Sequence, residues 1–285
     1  MKKILIAVLV VTLASIVYAE KLNLNISAGY VTVGMDDMNK SLQSQKERFD
    51  QAIKALEDLG AGTGSTSLTK FGSGIFLAVD AEYEVLSGIS IGPKIVYLSC
   101  SQAKLTAELP AMTGIINIEQ TVDASLIPLM VGGRYSTKIT DKISLLGGVY
   151  LGYGLANYKS VNKSELIGTY FMSSITKTNL KAGFQKDNSS QLSQNVEVPA
   201  GGLGFVGEIS ADVKYAITPN VSLGVNLGYR LAKIDELKAT KDVPEFNIKK
   251  GDVIKDENGK TIPADYSGLT IGVGLTFKFK LNKIF

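Results

Sequence analysis

Histidine is missing from this 285-residue chain, cysteine occurs once, and proline is scarce at seven residues. Without histidine, the general base of Ser-His or Cys-His acyl-transfer and protease sites is lacking, and with it the imidazole ligands of common zinc sites. The lone Cys100 excludes an intramolecular disulfide, and its half-apolar setting reads as that of a small strand residue. No Gly-rich phosphate loop stands between a strand and a helix. Asp36-Asp37 and Asp256-Glu257 are acidic pairs that read as solvated loop charge in preference to a surface cation site. The expectation is a protein that is not an enzyme and carries no cofactor and no metal.

One apolar run stands at the start. Met1-Lys2-Lys3 is a positive n-region, Ile4 to Val17 an apolar core, and Val17-Tyr18-Ala19 has small residues at the two cleavage-determining positions. That is a secretory signal peptide, residues 1–19, cleaved after Ala19, which leaves 20–285 as the folded unit. The alternative, an uncleaved anchor helix, is disfavoured because the stretch falls short of the about 20 apolar residues a spanning helix needs. Glu20 follows the cleavage site where a lipoprotein would have cysteine. Losing Lys2 and Lys3 lowers the formal net charge from +3 by two, to +1. A near-neutral chain is a poor partner for nucleic acid, which needs clustered cations.

What is present is alternation. In the last strand Leu269, Ile271, Val273, Leu275, Phe277, Phe279 and Leu281 alternate with Gly268, Thr270, Gly272, Gly274, Thr276, Lys278 and Lys280. Strict period two over this length exceeds the roughly 5–6 residues of a soluble strand and suits a tilted membrane strand. The pattern recurs at 75–86, 203–217 and 221–232, and more weakly at 22–34, 89–100, 122–138 and 143–158. These eight segments are joined alternately by short and long connections. Ser87-Gly88, Thr140-Asp141-Lys142 and Thr218-Pro219-Asn220 are tight turns. The others, about 35–70, 101–121, 159–202 and 237–265, are long. Short periplasmic turns opposite long extracellular loops are the outer-membrane arrangement. The predicted fold is therefore all-β, an eight-stranded antiparallel up-and-down transmembrane β-barrel.

Aromatic residues on the outward parity fall at two levels. Tyr83, Tyr135, Tyr215 and Phe279 lie near the short turns, and Tyr30, Tyr97, Tyr153 and Tyr229 about eight to ten residues from that end, as two interfacial girdles would. The inward parity gathers Asp80, Glu82, Glu84, Glu208 and Asp212 against Lys94, Arg134, Lys214, Arg230 and Lys278. Eight strands leave an interior that side chains fill, so these charges are expected to pair as a structural plug, with a narrow ion-conducting path as the alternative. Pro128, inside a strand, marks an expected bulge.

The loops carry their own signals. Met38 to Leu59 places Leu42, Phe49, Ile53, Leu56 and Leu59 at helical spacing, an amphipathic helix expected to lid the barrel mouth or to dock on lipid or a partner. Asp256-Glu257-Asn258-Gly259-Lys260 predicts an extended β-hairpin in loop four. Loop three, rich in Ser, Asn, Lys and Gln, reads as mobile.

The segments Ile127-Pro128-Leu129-Met130-Val131-Gly132-Gly133-Arg134-Tyr135, Thr218-Pro219-Asn220 leading into Leu223-Gly224-Val225-Asn226-Leu227-Gly228-Tyr229-Arg230, and the final strand ending in Phe285 resemble the small outer-membrane barrel family, the OmpA-, OmpX- and OmpW-like proteins. The resemblance implies location in the bacterial outer membrane, contact with its lipid, and Phe285 as part of the signal read by the barrel-assembly machinery. Three functions stay open: a structural or surface-interaction protein with an extracellular loop partner, a narrow channel for small or apolar solutes, and a soluble secreted β-sandwich.

Overall fold

The computed structural model describes residues 21–111, 114–168, 185–186, 191–256 and 259–280. The signal-peptide segment, Phe285, Glu257, Asn258 and most of loop three's tip lie outside them.

Eight strands form the barrel: β1 (Lys21–Thr32), β2 (Ser73–Leu86), β3 (Ile89–Cys100), β4 (Gly114–Lys138), β5 (Ile143–Gly168), β6 (Gln191–Thr218), β7 (Val221–Ile234) and β8 (Gly268–Lys280). Each pairs antiparallel with its sequence neighbours, and β8 returns to β1 through a ladder from Lys21 opposite Lys280 to Val31 opposite Thr270. The ring is closed, so its strands have no open edge in the membrane layer.

The short turns are built alike. Gly88 takes a φ of 76°, which a two-residue hairpin demands and glycine supplies without strain. Thr140 Oγ1 accepts from the amides of Lys142 and Ile143 at 3.3 and 3.0 Å. Thr218 Oγ1 accepts from Asn220 and Val221 at the same two distances. Register shifts occur beside two of these turns, at Glu84/Leu86 and Val221/Ser222. The bulge expected at Pro128 does not form. Pro128 faces Gly154 in an unbroken register, because its missing amide falls where the β3–β4 ladder has a gap at residues 96–97.

Three strands are longer than the sequence pattern suggested. β4, β5 and β6 continue past the apolar belt, so much of 101–121 and 159–202, expected as loop, is sheet. Above the membrane neither face meets lipid, and the apolar alternation that marks a spanning strand fades. This tall wall widens outward through Ala103–Ala111 and then Ser65–Thr69. The part of loop three described at 159–168 and 191–202 is thus ordered strand, and the rest of the expectation of mobility falls outside the described residues except 185–186.

A helix, α1 (Asp36–Asp58), packs on this widened wall. It begins two residues earlier than the hydrophobic spacing suggested because Asp36 and Asp37 occupy the first turn, where carboxylates favour the helix dipole. Met38, Leu42 and Ile53 are buried, whereas Leu59 caps the C-terminus and is 73% exposed, outside the apolar face assigned to it. Asn39 locks the helix to the next segment: its Nδ2 donates to the Phe71 carbonyl and its Oδ1 accepts the Phe71 amide, both at 2.9 Å.

Loop four does not form an extended hairpin. The described residues of 235–267 make two two-residue strands against the barrel wall (Lys238–Ala239 and Ala264–Asp265), isolated bridges and a 3-10 turn, Pro244–Phe246, and fold down over the mouth, burying Leu237, Ala239, Ala264 and Tyr266. At its tip the Gly259 amide donates to the Asp256 carbonyl at 3.0 Å.

Candidate functional site: the ion-paired barrel interior

Inward and outward parity separate two chemistries. Outside, Ile75, Leu77, Val79, Leu223, Val225, Leu227, Ile271 and Val273 are all exposed. A surface so extensively apolar would be an aggregation liability in water and matches a lipid-facing belt. Tyr30, Tyr97, Tyr135, Tyr153, Tyr215, Tyr229 and Phe279 are exposed on it, and Phe205, on the outward parity of 203–217 but not among the predicted girdle residues, meets Tyr153 edge-on at 6.4 Å between ring centroids. Tyr83 differs from the girdle assigned to it. Flanked by the half-buried Leu22 and Ile91 on the neighbouring strands, it is 8% exposed.

Inside, the predicted charges converge in two linked groups. Arg134 on β4 sits among three carboxylates from two other strands: Glu82 at 3.0 Å and Asp80 at 3.5 Å from Nη1, and Asp212 at 3.3 Å from Nε. Glu208 on β6 is held by Lys94 at 2.5 Å and by Arg230, whose Nη2 and Nε donate to one carboxylate oxygen at 2.8 and 3.1 Å. Arg230, 1% exposed, is among the most completely buried large side chains. Lys214 is half-buried and donates to Asn25 at 2.7 Å. Among the described residues the interior therefore holds four carboxylates (Asp80, Glu82, Glu208, Asp212) and four cations (Lys94, Arg134, Lys214, Arg230), formally neutral.

Two of the ten predicted charges stand apart. Glu84 pairs with Lys21 at 3.0 Å at the turn-side rim, and Lys278 is exposed. Both lie close to the strand ends, where the lumen opens to water and a charge needs no partner.

Two residues missed in the sequence join the groups. Asn25 on β1 donates to Asp80 and accepts from Lys214 and from Thr276 Oγ1, the last at 2.5 Å, tying β1, β2, β6 and β8 together. The Tyr150 hydroxyl donates to Glu82, while its ring lies 4.8 Å from Lys94 Nζ and 5.6 Å from the Arg134 guanidinium carbon. Such cation–π contacts supplement the ion pairs where water is scarce. The ring fits because Gly132 stands opposite: a Cβ there would lie 2.5 Å from Tyr150 Cδ1. Both residues were detectable by parity, Asn25 being polar and Tyr150 aromatic on the inward face.

Two spaces of about 20 Å³ remain within this network, each of a size for about one water. Arg230 Nη1 and Ser210 Oγ, both lacking a protein partner, line one of them. Above the charges the filling turns apolar: Phe76, Val96, Leu98, Leu126, Val206, Ala232 and Ile234 are buried together.

No protein-family model matches the sequence, and no curated protein sequence matches it. Among solved structures, the chain is similar to Neisserial surface protein A, at 12% identity over 90% of this chain and 97% of that one, TM-score 0.38. It is also similar to Ail, the attachment invasion locus protein of Yersinia pestis (11% identity, 90% and 98% covered, TM-score 0.33). A third likeness is to the outer membrane protein AlkL (14%, 92% and 91% covered, TM-score 0.38). At these values the fold rests on the closed ring itself. That ring of eight antiparallel strands, apolar outside and filled inside, is the small outer-membrane β-barrel fold expected from the sequence.

Proposed function

We propose that this protein is a closed barrel of the bacterial outer membrane that anchors an extracellular platform, with an envelope or surface-interaction role and no catalytic activity. The carrying observation is the filled interior, a neutral ion network below an apolar layer, which leaves no open lumen at the network's level among the described residues. The tall β4–β6 wall, α1 and loop four then form a broad structure on the long-loop side, suited to contact with a partner. Export through residues 1–19 and insertion by the assembly machinery belong to the same reading. Conduction of small or apolar solutes is the competing one, and it requires the ion pairs to part.

Orientation and topology are tested together by placing a cysteine at the exposed Leu59 in a Cys100→Ser background. L59C is expected to react with a membrane-impermeant maleimide on intact cells, and the unheated protein to migrate differently from the boiled protein on a gel. Labelling seen after lysis alone, or identical migration with solubility in the absence of detergent, would remove the reading.

A further inference from the structure

The extracellular platform holds a partly open cavity of about 330 Å³, separate from the ion network. Protein interiors carry few voids larger than a water molecule, whereas small-molecule sites begin near this volume, at roughly 300 Å³. The space lies at a seam. Met38 and Leu42 of α1, Phe71 and Val122 belong to the apolar core of the mouth, and Val198 with Ile248 to a second apolar cluster. Ile254 of loop four touches both clusters, and they fail to close between α1 and the wall.

Apolar side chains make up most of the lining, and its polar groups come from α1 (Ser41, Gln45), from the wall (Gln120, Ser160, Asn162) and from loop four (Lys255). Gln120 and Asn162 both donate to Ser160 Oγ, at 3.3 and 3.4 Å, so these groups satisfy one another along the wall. Lys255 is the one charged residue of the lining, and its ammonium has no ion-pair partner among the described residues. It is exposed at the rim, on the loop that covers the cavity. A mostly apolar cleft with one cation at its edge is complementary to a molecule with an apolar chain and one anionic head.

We propose that this cavity binds a medium-chain carboxylate, its chain between α1 and the β4–β6 wall and its head at Lys255. Binding of this kind needs neither conduction nor an open lumen, so it stands independently of the closed-barrel reading.

The test is equilibrium binding of radiolabelled decanoate to the full-length protein in lipid nanodiscs, with empty nanodiscs subtracted. Wild-type protein is expected to show saturable binding. Lys255→Glu, at an exposed position that does not threaten folding, should weaken it by about three- to tenfold. Ser41→Trp, which fills the cavity from the helix side, should abolish it while heat-modifiable migration is retained. Decyltrimethylammonium, with the same chain and opposite charge, should bind Lys255→Glu better than wild type. No saturable binding above empty nanodiscs, or equal affinity of wild type and Lys255→Glu for decanoate, overturns the proposal.

Discussion

The lower and upper halves of the barrel interior are filled by opposite means. Toward the turns, eight charged side chains and Asn25 occupy the lumen, every ion pair joining two different strands. Toward the loops, Leu98, Leu126, Val206 and Ile234 fill the same cross-section with hydrocarbon, continued upward by Met35, Met38 and Tyr266. Apolar packing tolerates small changes of shape at moderate cost, whereas a buried charge tolerates loss of its partner badly. The lower layer should therefore be the less forgiving and the more closely tied to strand register.

The largest expected effect follows removal of Arg134. Arg134→Met leaves Asp80, Glu82 and Asp212 facing one another without the guanidinium between them. The expected loss is about 3–5 kcal/mol of unfolding free energy, read by urea titration in lipid vesicles. Restoring neutrality with Glu82→Gln beside Arg134→Met should recover part of it. A loss below that of an apolar truncation would break the contrast between the halves.

Next comes the apolar layer. Leu126→Ala removes a fully buried side chain and should cost about 2–5 kcal/mol. It should respond little to added salt, because no charge is uncovered.

Asn25→Leu sharpens the comparison within the lower layer. It removes an uncharged hub and leaves Asp80, Lys214 and Thr276 each lacking one hydrogen bond, an expected cost of about 1–3 kcal/mol. Gly132→Ala is a steric counterpart, expected to displace Tyr150 and lower its protection from solvent.

The smallest effect belongs outside the membrane layer. Glu119 accepts a hydrogen bond from Lys104 at 2.7 Å, which holds its carboxyl below the usual glutamate range. A carboxyl depressed on folding stabilises above its unfolded pKa and loses that contribution as pH falls through the lower folded value. Acidification through that range should therefore lower the amide protection factors of Ala103–Ala111 by a small factor and leave the strands at the level of the ion network unchanged. Both groups are substantially exposed, so the effect is screened.

Much of the barrel was legible because lipid imposes a pattern. Every second residue of β8 from Leu269 to Phe279 must be apolar, whatever its neighbours, and the Thr-based turns need their own residue types. The eight interior charges were legible for the same reason: a charge on the inward parity has no other place to go. Legibility fades where that constraint ends. Glu84 and Lys278 keep the parity but lie at strand ends beside water. The upper halves of β4–β6 bury residues by pairing with Ala103–Ala111 and by loop four, through contacts between segments far apart in sequence. Leu237, Ala264 and Tyr266 show no periodicity and are buried by where loop four folds, which local pattern does not encode.

The central claim, that the interior is closed by paired charges, is tested most directly in planar lipid bilayers. Purified wild-type protein should insert without discrete conductance steps, and Arg134→Ala should produce steps or an unstable baseline as the network loses its central cation. Reproducible ohmic single-channel conductance from the wild-type protein, unchanged in Arg134→Ala and Asp212→Ala, would contradict it.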